Sequence, residues 1–145
     1  MTRPSPETIE WLTRLVRFDT TSRESNLPLL DAVAGRVREL GLEPRLFPSA
    51  DGRKGNLAIT VPDAAGGVTG GVLLSGHTDC VPVDGQAWTS DPFTVVERSG
   101  RLYGRGTADM KGFIACCLAA LPALLAAPLA EPVHLGLSYD EEVGC

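Results

Sequence analysis

Apolar positions along the chain fall into two periods, and the switches between them outline its elements. Ile9, Leu12 and Leu15-Val16 keep helical spacing behind Ser5-Pro6-Glu7. That triplet is a helix start: serine caps, proline takes the first helical position, and glutamate meets the positive helix end. "FDTTSRESN" (18–26) reads as a polar connection. A second helical face, Leu27, Leu30, Val33, Val37 and Leu40, stops at Gly41. "LEPRLF" (42–47) and "NLAITV" (56–61) are strand candidates, and "PDAAGGVTGG" (62–71) is a glycine-rich turn. "GVLLSG" (71–76) is a continuous apolar run, the kind buried on both faces of a sheet. A loop, "DGQAWTSDPF", leads into "FTVVERSGRLYG", a hairpin turning at Ser99-Gly100. "MKGFIACCLAALPALLAA" (110–127) reads as a helix, kinked or restarted at Pro122, and "PVHLGLSY" (132–139) as a strand running into Asp140-Glu141-Glu142.

Helices alternating with apolar strands predict an α/β fold with a mostly parallel central sheet flanked by helices. At 145 residues and 43% apolar content, the chain has the size and composition of one globular domain. Its net charge of −5, with both signs interspersed, gives no basic footprint for nucleic acid. No apolar run is long enough to span a membrane and the polar N-terminus lacks a signal-peptide pattern, so a cytoplasmic location is expected. Cys80, Cys116, Cys117 and Cys145 form no CxxC pair and fit reduced thiols.

Three chemistry-bearing stretches fall at element ends: His77-Thr78-Asp79, Asp109 within "GRGTADMKG", and Asp140-Glu141-Glu142. In open α/β sheets, ligands bind beyond the carboxyl ends of strands, so the three can meet at one rim. Each has a plainer reading. His77 can be a hydrogen-bonded structural residue, Asp109 a helix cap, and the acidic triplet a solvated corner. Spacing adds content. Residues i and i+2 of an extended segment share a side, so Asp79 can reach the His77 imidazole and fix its tautomer. Adjacent Glu141 and Glu142 diverge and can do different work. Three consecutive carboxylates repel, and a divalent cation would relieve them. "GRGTAD" lacks the third glycine of a dinucleotide fingerprint, and neither a P-loop nor a G-x-S-x-G elbow is present. His134 reads as structural; Lys111, Arg105 and Tyr103 can approach the site but read first as ordinary surface residues; and Gly104, Gly106 and Gly112 read as sites of tight backbone passage.

Taken together and in this order, "SGHTDCVPV", "WTSDPF", "GRLYGRGTADMKG" and "SYDEEVGC" resemble the dimetal zinc amidohydrolases and peptidases, a family that includes aminoacylases, glutamate carboxypeptidases and desuccinylases. "DGQAW", "GTADMKGF" and "DEEVGC" look most like its acetylornithine deacetylases. The resemblance implies a dizinc exopeptidase-like catalytic domain. Two divalent cations are expected, zinc first, with cobalt or manganese open. His77 would bind one metal and Glu142 the other, Asp109 would bridge them, Glu141 would be the general base, and Asp79 would orient His77. The Asp109–Met110 peptide would be cis. The implied reaction removes the acetyl group of N-acetylornithine to give ornithine and acetate, in arginine biosynthesis. The alternatives are a related desuccinylase or carboxypeptidase, a non-catalytic metal-binding fragment, and a carboxylate-pair hydrolase without metal. The resemblance further implies that residues 1–145 are the N-terminal part of the catalytic domain. Two more ligands, the rest of that domain and the dimerisation domain of a homodimer would then lie beyond Cys145.

Overall fold

The computed structural model describes residues 3–144; Cys145 lies outside them. Helix α1 spans Pro6–Val16, and its start follows the expected chemistry, with the Thr8 amide donating to Ser5 Oγ at 3.1 Å. Helix α2, Leu27–Glu39, ends as Gly41 (φ +80°) lets the Gly41 and Leu42 amides fold back onto the carbonyls of Arg38 and Val37. Strands β1 (Arg45–Pro48), β2 (Gly55–Val61) and β3 (Val72–His77) follow. Next come the hairpin β4 (Val96–Arg98) and β5 (Arg101–Tyr103), helix α3 (Lys111–Ala126) and strand β6 (Val133–Ser138). A 3₁₀ turn, Glu141–Val143, closes the described chain. Ser99 and Gly100 both take positive φ, the conformation a two-residue hairpin turn requires. Pro122 lies inside α3, which continues through it as one helix rather than restarting.

The sheet order is β1-β2-β6-β3. Within this sheet β3 and β6 run parallel, while β1–β2 and β2–β6 are antiparallel. The α/β layering is as expected, but the sheet is mixed rather than mostly parallel. Parallel neighbours need a long crossover, and of these connections only the one through α3 between β3 and β6 supplies it; the short turn 62–71 reverses the chain.

Leu57, Ile59, Val61, Leu135 and Leu137 project into one core with Leu15, Leu29, Val33, Ile114 and Leu118. The opposite sheet face, carrying Ala58, Thr60 and His134, is only half-buried. His134 lies between Thr60 Oγ1 and the Gly70 carbonyl, 2.9 Å from each, and ties the 62–71 turn to the sheet, consistent with a structural residue. β3 departs from expectation: Val72 and Leu73 are 55% and 62% exposed. An apolar run specifies a strand that wants cover, but not its neighbours, and the outer edge of β3 is unpaired among the described residues.

Candidate metal centre

Parallel pairing of β3 with β6 sets His77 opposite Ser138, the last residue of each strand. The segments beyond leave the sheet together. The Thr78 amide and hydroxyl donate to the Ser138 carbonyl at 2.8 and 2.7 Å. Asp79, 3% exposed, accepts from the Glu141 amide at 3.2 Å and the Glu142 amide at 3.1 Å. One carboxylate therefore holds both turns at the carboxyl end of the parallel pair.

Asp109 arrives from the other side. Met110 accepts the His77 amide on its sulfur at 3.3 Å, docking the start of α3 against the end of β3. The Asp109–Met110 peptide is cis, as the resemblance implies. Asp109 does not cap α3, whose first turn has no side-chain cap. Its Oδ1 lies 3.0 Å from His77 Nε2. One ligand atom each from His77, Asp109 and Glu142 falls within 4.8 Å of the others. Glu141 stands beside this trio, with Oε2 3.6 Å from His77 Nε2.

Asp79 sits behind His77, as its spacing suggests, but with a twist. The nearer acceptor for Nδ1 is the backbone carbonyl of Asp79 at 3.0 Å, and the carboxylate stands at 3.4 Å. A proton on Nδ1 shared between them leaves the Nε2 lone pair aimed at the acidic side.

The electrostatics suit a cation. Burial works to lower the His77 pKa, but the hydrogen bond to Asp109, the Asp79 carbonyl and the charges of Asp79 and Glu141 outweigh it and raise the pKa. Burial, followed by the negative charge of Asp109, raises that of Glu142. Among the described residues no lysine or arginine pairs with Asp109, Glu141 or Glu142. One imidazole nitrogen and carboxylate oxygens, short of positive charge, form a donor set that fits a divalent ion.

Several supporting residues escaped the sequence reading. Lys111 is not on the surface: it is 0% exposed, donates to the Phe18 carbonyl at 2.7 Å, and has its pKa pushed down to about 8 by burial. Its spacing was a usable signal, because Ile114, Ala115 and Leu118 follow at i+3, i+4 and i+7 on the buried face. The polar connection 18–26 is also buried in large part. Thr20 bonds the Thr78 carbonyl at 2.6 Å, Ser22 bonds Asp79 Oδ2 at 2.8 Å, and Asn26 bonds Thr78 Oγ1 at 2.9 Å.

Tight passage is real at Gly112, where a Cβ would sit 2.2 Å from the Thr107 carbonyl oxygen. Gly112→Ala must push back the loop that carries Asp109. We expect a loss of about 1–3 kcal/mol in urea unfolding, the usual cost of overpacking, together with weaker metal binding. Unchanged unfolding and binding would contradict this geometry.

Residues 73–145 match the sequence profile of Peptidase family M20/M25/M40. Over 125 residues the chain is 42% identical to the acetylornithine deacetylase of Proteus mirabilis (strain HI4320), covering 86% of this chain and 31% of that protein. Over 136 residues it is 43% identical to the acetylornithine deacetylase of Myxococcus xanthus, covering 92% and 34%. The chain thus spans about a third of the length of these curated relatives. Its fold resembles that of human carnosine dipeptidase 1, with a TM-score of 0.78 at 23% identity over 95% of this chain and 32% of that one. It equally resembles the M20 family metallo-carboxypeptidase Sso-CP2 from Sulfolobus solfataricus, with a TM-score of 0.78 at 22% identity over 97% and 32%. Since the profile match runs from β3 through the acidic turn and so takes in the whole cluster of His77, Asp109 and Glu142, the chain belongs to peptidase family M20/M25/M40.

Proposed function

We propose that this chain is the N-terminal part of the catalytic domain of a zinc-dependent linear-amide hydrolase that releases acetate and ornithine from N-acetylornithine. The observation that carries the hydrolase reading is the approach of His77, Asp109 and Glu142 at the end of the parallel strand pair. The names of the relatives support the choice of substrate. The exposed apolar edge at Val72-Leu73 supports a domain that continues beyond the described residues; further ligands and a dimerisation domain in that remainder are part of the same proposal.

In this reading His77 and Glu142 would each hold one of two divalent cations and Asp109 would serve both; zinc is expected first, and cobalt or manganese would suit the same donors. Bound cations would supply two things: a water whose pKa falls toward about 7, and positive charge where the amide carbonyl turns into an oxyanion. The chain's own groups do the rest. Asp79 keeps Nε2 of His77 free to ligate and holds the amides of the acidic turn. Glu141 is outside the ligand trio yet beside it. It accepts a proton from the attacking water and returns it to the departing amine as the C–N bond breaks and a C–O bond forms. The reaction belongs to arginine biosynthesis in the cytoplasm, and the whole protein is a homodimer.

The test is an assay of the whole gene product against N-acetylornithine, N-succinyl-diaminopimelate and a dipeptide. Hydrolysis of the first is expected to dominate, to vanish on chelation and to return with zinc. Preference for either of the others transfers the assignment to a sister activity, and chelator-insensitive turnover removes the metal from the mechanism.

A further inference from the structure

The three consecutive acids do not act together. Asp140 turns away from the ligand cluster: its carboxylate accepts from Lys54 Nζ, which also donates to the Ser22 carbonyl. We propose that Lys54 and Asp140 are positioning residues, a clamp that sets which of the next two glutamates faces the metal centre and which faces the substrate. This inference rests on the metallohydrolase reading above.

Asp140 has φ +63° and ψ +22°, the left-handed conformation, and the 3₁₀ turn of Glu141–Val143 starts directly after it. Such a residue is uncommon outside glycine, asparagine and aspartate, and it redirects the chain within a single residue. The conformation decides where the side chains of Glu141 and Glu142 point, so whatever holds Asp140 sets both. Lys54 is well placed to do so. It lies against the Tyr139 ring, 5.9 Å from the centroid, and its side chain is only 18% exposed. Its own backbone position is fixed next door, where Asn26 bonds both the amide and the carbonyl of Gly55 at 3.0 and 2.9 Å.

The contacts form a closed circuit around the acidic turn. Lys54 joins Asp140 to the Ser22 carbonyl. The Ser22 hydroxyl donates to Asp79, and Asp79 accepts the Glu141 and Glu142 amides. The turn is thus gripped at its first residue by a cation and at its next two by an anion. Pairing with Lys54 also neutralises the Asp140 carboxylate outside the cluster, so it does not compete as a ligand.

The experiment compares Lys54→Met, Asp140→Gly and the double variant in the zinc-loaded whole protein. Glycine accepts the left-handed conformation without steric penalty, so Asp140→Gly removes the carboxylate without straining the backbone, and Asp140→Asn controls for the added chain freedom. Each single variant is expected to weaken zinc binding by about 10- to 100-fold, the usual effect of displacing a group that orients a ligand. The double variant should be no worse than the weaker single, and Lys54→Arg should recover most of the loss. Thermal unfolding of the metal-free forms separates this from global damage; if Lys54→Met does not fold, Asp140→Gly and Asp140→Asn carry the comparison. Zinc affinity and kcat within twofold of wild type for Asp140→Gly, or additive losses in the double variant, overturn the clamp. A wild type that binds no zinc overturns instead the reading on which the clamp rests.

Discussion

In the proposed deacetylase, replacing Glu141 with alanine is expected to lower kcat toward N-acetylornithine by about 10²–10⁴-fold, the usual contribution of a positioned general base, and to leave zinc content unchanged. The two halves of this expectation have different structural sources. Glu141 and Glu142 are neighbours whose amides rest on the same Asp79 carboxylate, so the turn presents them as a pair. Their side chains part. Glu142 supplies an oxygen to the cluster with His77 and Asp109, while the Glu141 side chain is 52% exposed and reaches toward that cluster without joining it. A group so placed can exchange a proton with water and substrate but is not needed to hold an ion. KM should move little, because a base that acts only in the transition state adds nothing to ground-state binding. Zinc analysis with steady-state kinetics checks both halves, and Glu142→Ala is the contrast, expected to lose the ion itself. Full activity in the Glu141 variant would sink its assignment as base.

What the sequence reveals of this molecule is what neighbours along the chain decide. The cap at Ser5, the stop at Gly41 and the turn at Ser99-Gly100 depend on a few adjacent residues, and each is where the sequence places it. The convergence of the candidate ligands was legible for a different reason: His77, Asp109 and Glu142 lie at element ends, His77 closing an apolar strand, Glu142 just past one and Asp109 just before a helix. Partners from distant segments were not legible. Nothing local says that β6 inserts between β2 and β3, which makes the sheet mixed and leaves Val72-Leu73 at an edge. Likewise Thr20, Ser22 and Asn26 look like solvated loop residues until Thr78 and Asp79 are brought against them from more than fifty positions away. Asp140 is a case of the same kind. The sequence shows it only as part of an acidic stretch, and the approach of Lys54, 86 residues earlier, gives it a partner of its own.

Asp109→Asn is expected to weaken zinc binding by more than about 100-fold, beyond the loss that follows from disturbing residues behind a ligand. The same change should leave the metal-free fold within about 1 kcal/mol of wild type. Asp109 is peculiar in being well held yet exposed. Its backbone is seated by Met110 against β3 and by Lys111 against the Phe18 carbonyl, but its side chain is 74% exposed and contacts His77 from the solvent side. A carboxylate that open contributes little to packing, so stability has little to lose. The ion has much to lose, because Asp109 is the acidic partner on the far side of His77 from Asp79. Electrostatics give the result a second signature. Glu142 has its pKa raised above the ordinary 4.5 by burial first and by Asp109 second. A carboxyl whose folded pKa is raised keeps its proton longer in the native state, so the metal-free protein loses stability as pH climbs from 4.5 through the raised value. Removing the Asp109 charge should shrink that loss but not abolish it, since the burial remains. Isothermal titration with zinc, and unfolding between about pH 4 and 8 in chelator, measure the two effects separately. A variant that kept its zinc and lost its fold would make Asp109 a structural residue and take the bridge out of the proposed centre.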